Sequence, residues 1–71
     1  MISYTPLWET MKKRGVTTYT LRNSDPRYNI SSSTIRRLRD GESISTNTID
    51  NLCRILDCTV SDIIEYIDER P

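Results

Sequence analysis

In "YTPLWETMKKRGVT" the apolar residues Leu7, Trp8 and Met11 recur three and four positions apart, which places them on one face of a helix. Thr5 is its predicted cap, Pro6 suits the first helical position, Gly15 stops it and Val16 closes the turn. "TTYTLRN" predicts a short second helix, Thr18 to about Asn23, with Thr17 as N-cap and Leu21 turned inward. Turn-forming residues around Pro26 in "SDPRYN" then break the pattern. Ser31 caps a third helix running from Ser32 to about Arg39, with Ile35 and Leu38 three apart on its inner side and Gly41 as a left-handed terminator. Ser45 or Thr46 opens a fourth, whose Ile49, Leu52, Cys53 and Leu56 follow the i, i+3, i+4, i+7 template. "TVSD" offers a capping arrangement for a fifth short helix carrying Ile63, Ile64 and Ile67. No stretch alternates as a strand does. The expectation is an all-α fold of five short helices in one domain spanning 1–71, with its core over about 4–67 and the final "DERP" frayed.

A chain of 71 residues buries only roughly 60% of its unfolded surface, so the predicted core is small. Cys53 and Cys58 are too few for a disulfide scaffold, and Cys53 falls on an apolar stripe, as a small core residue would. No apolar run approaches the ~20 residues of a membrane span and no signal peptide follows Met1. These features predict a soluble cytoplasmic protein with no membrane association.

Formal net charge is zero, which conceals a division of the chain. Through Gly41 there are eight basic residues against three acidic, a net +5; from Glu42 onward there are two against seven, a net −5. Such a division suggests an oriented polyanion-binding face, although charged faces also serve simply to be solvated. Lys12, Lys13 and Arg14 have a local reason to be basic as well, since they complement the dipole at the end of the first helix.

Catalytic chemistry finds few tools here. There is no histidine, hence neither the commonest general base nor the commonest zinc ligand. The two cysteines lack zinc-knuckle spacing and a second ligand pair, two glycines cannot build a phosphate loop, and no carboxylate run has calcium-loop spacing. Neither enzyme activity, nor a metal, nor a cofactor is predicted.

The second and third helices, packed through Leu21, Ile30, Ile35 and Leu38, form a helix-turn-helix that leaves the polar face of the third helix free. Ser32 and Ser33 are short enough to bring the helix tip close to base edges. Arg36 and Arg37, one turn on, reach guanine edges or phosphates, and Arg39 lies further along. Ordinary first-turn serines and a solvated basic face would give the same residues.

"GVTTYTLRN", "NISSSTIRRLRDGE" and "STNTIDNLCRILDCTVSDIIEYI" together resemble the Cro/repressor-type (XRE-family) helix-turn-helix domain, over about Tyr4 to Ile67. The resemblance implies a lambda-repressor-like DNA-binding domain acting as a sequence-specific transcriptional regulator, most often a repressor and usually a dimer on double-stranded DNA. It places Ser31, Ser32, Ser33, Arg36 and Arg37 where the recognition helix touches DNA. Thr17 and Thr18, with Thr46 and Asn47, fall at helix starts that grip phosphates. Two departures stand out. "NSDPRYN" is longer than the family's usual turn, puts Asn29 at the usual glycine position and offers Arg27 or Tyr28 to the DNA backbone. Arg22 occupies a position that is commonly small, and from there it could reach toward phosphate. Ile63, Ile64, Tyr66 and Ile67 form the candidate dimer surface, though core packing would claim isoleucines equally well. A competing reading is an antitoxin-like or anti-regulator module whose acidic half, through Asp62, Glu65, Asp68 and Glu69, binds a basic protein partner. A small-molecule sensor is disfavoured, because so small a core leaves little room for a pocket.

Overall fold

A computed structural model describes Met1–Arg70. It contains four α-helices: α1 Thr5–Arg14, α2 Thr18–Arg22, α3 Ser32–Asp40 and α4 Thr46–Leu56. A single 3-10 turn, Val60–Asp62, follows α4. The short strand β1, Ile2–Ser3, pairs antiparallel with β2, Glu65–Tyr66, setting Ile2 opposite Tyr66 and Ser3 opposite Glu65. The ladder is extended by the Met1 ammonium, which donates to the Ile67 carbonyl at 2.7 Å, and by the Ile67 amide, which donates to the Met1 carbonyl at 2.8 Å.

The helix boundaries follow the local chemistry of their ends. Thr17, Ser31 and Ser45 are extended N-cap residues whose hydroxyls accept from the amides of Thr20, Thr34 and Thr48. At α1 the expected cap, Thr5, is already helical; Tyr4 is the N-cap, and the Thr5 amide donates instead to Ser3 Oγ at 3.2 Å. Gly15 and Gly41 close α1 and α3 in the left-handed conformation, at φ 67° and 72°. Asp57 does the same for α4 at φ 51°, the one non-glycine residue with positive φ among those described. Asn29, at the position where the family usually has glycine, does not adopt it.

The core is one cluster. Leu7 and Met11 of α1, Leu21 of α2, Ile35 and Leu38 of α3, and Leu52 and Leu56 of α4 meet around Ile30, Tyr4 and Ile63. Trp8, Val16 and Cys53 pack against it half-buried. Tyr4 is buried with its hydroxyl satisfied by the Glu42 carbonyl at 2.7 Å, which ties the first helix to the link after α3. Thr10 Oγ1 likewise donates to the Asp62 carbonyl at 2.8 Å and pins the 3-10 turn to α1.

The expected fifth helix is therefore corrected to one 3-10 turn running into a strand. The capping box read from "TVSD" is present, with the Thr59 amide donating to Asp62 Oδ2 at 3.2 Å. Beyond it the amides of Ile63 and Ile64 both donate to the Val60 carbonyl, at 2.9 and 3.1 Å, and the chain then extends into β2 at Glu65 and Tyr66 instead of continuing as a helix. β1 supplies the pairing partner. That partner lies at the opposite end of the chain, where no local pattern announces it.

Candidate nucleic-acid interface

α3 points its apolar residues one way and its charges the other. Ile35 and Leu38 are buried, while Ser32, Ser33, Arg36, Arg37 and Arg39 are exposed. At its tip Ser31 Oγ accepts from the Thr34 amide at 3.2 Å and donates to Thr34 Oγ1 at 2.9 Å. Ser33 Oγ lies 3.2 Å from Ser31 Oγ. Ser32 Oγ has no protein partner among the described residues, so its hydroxyl and the first-turn amides face solvent at the positive end of the helix dipole.

The pairing of α2 with α3 is set by the Ile30 amide, which donates to the Leu21 carbonyl at 2.8 Å, with both side chains buried. Thr18 and Arg22 of α2 and Ser32, Ile35 and Arg39 of α3 line a cleft of about 170 Å³. Arg22 is exposed and lines the cleft together with Arg39. Thr17 caps α2 and is exposed. Thr46 and Asn47 are exposed in the first turn of α4, where Thr46 opens onto a separate groove described below.

The long connection from Asn23 to Asn29 closes on itself. Asn23 Nδ2 donates to the Tyr19 carbonyl at 2.9 Å, the Tyr28 amide to the Asp25 carbonyl at 2.9 Å, and Asn29 Nδ2 to the Arg22 carbonyl at 3.1 Å. Arg27 Nε donates to both Asp25 oxygens at 3.0 Å, and its guanidinium lies 5.9 Å from the Tyr28 ring centroid. That guanidinium bond holds the Asp25 carboxyl down at about pH 2. Arg27 is thus committed to its own loop, and with Tyr28 it borders a recess against Asp50, Asn51 and Arg54 of α4.

The remaining cations differ. The three ion pairs of the described residues use Arg27 with Asp25, Arg54 with Asp50 and Arg70 with Asp68. Lys12, Lys13, Arg14, Arg22, Arg36, Arg37 and Arg39 have no carboxylate at ion-pair distance among those residues, and all are exposed. Their charge is available to an external anion.

The candidate dimer residues are divided by the structure. Ile63 is fully buried at the centre of the core, which removes it from any surface; Ile64 is half-buried, and Tyr66 and Ile67 are 69% and 40% exposed. Val60 and Ile2 are exposed as well, and the sequence reading missed both. Ile2 could be found only through its pairing with Tyr66. A groove of about 610 Å³ runs from Thr46 past Ile49, Cys53 and Cys58 to Val60 and Ile64. Burial and the neighbouring Cys53 push the Cys58 thiol up to about 11, so it is a poorly ionised thiol. Among the described residues no three His, Cys, Asp or Glu side chains gather as metal ligands, and no helix is long and apolar enough to cross a membrane.

No curated protein matches the chain. Among solved structures, that of the transcriptional regulator VanUg matches with a TM-score of 0.81 and 31% identity, covering 96% of this chain and 87% of that one. The family profile of the Cro/C1-type HTH DNA-binding domain matches residues 6–69. With α2 and α3 paired as a helix-turn-helix, the polar face of α3 uncovered and the profile spanning nearly every element, the chain belongs to the Cro/C1-type HTH DNA-binding family.

Proposed function

We propose that this protein is a cytoplasmic, sequence-specific transcriptional regulator that represses by occupying a promoter. The observation that carries this is the set of exposed cations with no internal partner, Arg22, Arg36, Arg37 and Arg39 among them, on and beside the uncovered face of α3. In this reading α3 enters the major groove. Ser31, Ser32 and Ser33 form the tip, and Arg36 and Arg37 meet guanine edges or phosphates. Thr17 and Thr18 with Arg22, and Thr46 with Asn47, hold the backbone on either side, and Arg39 adds charge at the far end of α3.

The protein acts as a homodimer through Ile64, Tyr66 and Ile67, joined by Val60 and Ile2. Thr46 borders both the proposed DNA contacts and the apolar groove, so a second copy seated there presents its own α3 to the same duplex. Half-sites are then expected about 10 bp apart or a multiple of that.

Selection from a random duplex library with purified protein, at two salt concentrations, tests this. A two-fold motif should be enriched, and it should be lost for Arg36→Ala and Arg37→Ala. With about five phosphate contacts, log affinity should fall with log salt at a slope of roughly −4 to −5. Folded protein that enriches nothing at low salt would refute the proposal. The competing protein-interaction role through the acidic half has less to work with, because Asp62 is engaged by Thr59 and Asp68 by Arg70.

A further inference from the structure

A second groove, of about 540 Å³, lies between α1 and the end of α3, lined by Trp8, Met11, Lys12, Val16, Thr18 and Arg39. Its chemistry is divided. Half-buried Trp8 and Val16, over buried Met11, give it an apolar floor, while Lys12 and Arg39 supply two exposed cations with no carboxylate partner among the described residues. Thr18 and Arg39 are walls of this groove and also of the cleft between α2 and α3, so the two adjoin at these side chains.

We propose that this groove seats a sugar–phosphate unit of the DNA backbone flanking the sequence read by α3, with the deoxyribose against Trp8 and Val16 and the phosphate between Lys12 and Arg39. The inference rests on the DNA-binding reading and adds Lys12 and Trp8 to the residues proposed above to meet DNA.

Three physical points select this occupant. A deoxyribose presents an apolar ring face beside an anionic phosphate, the same division the groove shows. The volume is in the ordinary range of ligand-sized clefts, roughly 300–1,000 Å³, ample for one backbone unit. The groove adjoins the cleft, so a strand held by Arg22 and Arg39 runs on toward Lys12 past exposed cations with no internal partner among the described residues. Lys12 then has a second role beyond completing the dipole of α1. A lysine suits it, because a phosphate approached from one side needs a point charge rather than a planar fork.

Trp8 is the only tryptophan in the chain, so its emission reports on this groove alone. The test titrates the whole protein with a fluorescein-labelled duplex, of the selected sequence or, failing one, of mixed sequence at low salt. Anisotropy of the label reports binding while acrylamide quenching reports access to Trp8. Quenching should fall as duplex is added and saturate together with the anisotropy. Lys12→Gln should make the salt slope shallower by about one without changing which sequence is preferred. Lys13→Gln, on the adjoining residue outside the groove, should leave Trp8 protection intact. Saturating anisotropy with unchanged quenching, or an unchanged slope for Lys12→Gln, overturns the seat and leaves DNA binding standing. Absence of any binding by folded protein overturns the DNA-binding reading and the seat with it.

Discussion

Ser31 and Ser32 are neighbours of the same type with different tasks. The hydroxyl of Ser31 is spent inside the chain, on the amide and hydroxyl of Thr34, whereas that of Ser32 is free. Ser31→Ala should cost about 1 kcal/mol of unfolding free energy, measured by urea denaturation. Ser32→Ala should leave that value nearly unchanged and alter base preference in the selection. Asp25 shows a third kind of work, holding a loop. Its carboxyl titrates at about 2 in the folded protein, below its ordinary value of 3.8, so folding favours the ionised form. The Asp25–Arg27 contribution is therefore complete above the ordinary carboxylate range and is lost as pH falls through about 2. Carbon-detected NMR of the Asp25 carboxyl should show that low midpoint, and Arg27→Ala should return it to the ordinary range. Caps such as Ser31 were legible in the sequence because donor and acceptor are three residues apart. The grip of Asp25 on Arg27 was not, since charged residues two apart in a loop have no fixed geometry until the loop closes.

At the level of elements, the segment from Thr59 to Ile67 separates what sequence can specify from what it cannot. Its start was readable, because the Thr59–Asp62 box is local. Its continuation depends on β1, whose Ile2 pairs with Tyr66 from the other end of the chain. Ile63 and Tyr66, three apart, would share a helix face; instead Ile63 closes the 3-10 turn fully buried, and Tyr66, in β2, is 69% exposed. Ile63→Ala should therefore destabilise by about 2–5 kcal/mol, read by thermal or urea unfolding. Tyr66→Ala should barely change monomer stability and should weaken self-association in sedimentation equilibrium. The helix-turn-helix was legible for the converse reason. Leu21, Ile30, Ile35 and Leu38 are close in sequence, and each sits at the inward position its own helix or cap dictates.

Across the whole molecule, zero net charge resolves into two unlike populations. In the acidic half Arg54 and Arg70 are both paired, while most of the basic half's cations stay unpaired. A site list could be written from the sequence because its members are charged or hydroxylated residues at helix starts and faces. The grooves could not, since they arise where α1 meets α3 and where α4 meets the 3-10 turn. The separation of charge also bears on how the protein finds DNA. A neutral body has no attraction to a duplex from its total charge, so its long-range approach depends on how its charges are arranged. The exposed, unpaired cations on and beside α3 are drawn to the duplex field while the surplus carboxylates of the C-terminal half are repelled. In the proposed reading the resulting torque turns α3 inward during approach. Orientation is thus sorted before contact within the ~8 Å reach of unscreened charge at physiological salt, and added salt slows productive encounter.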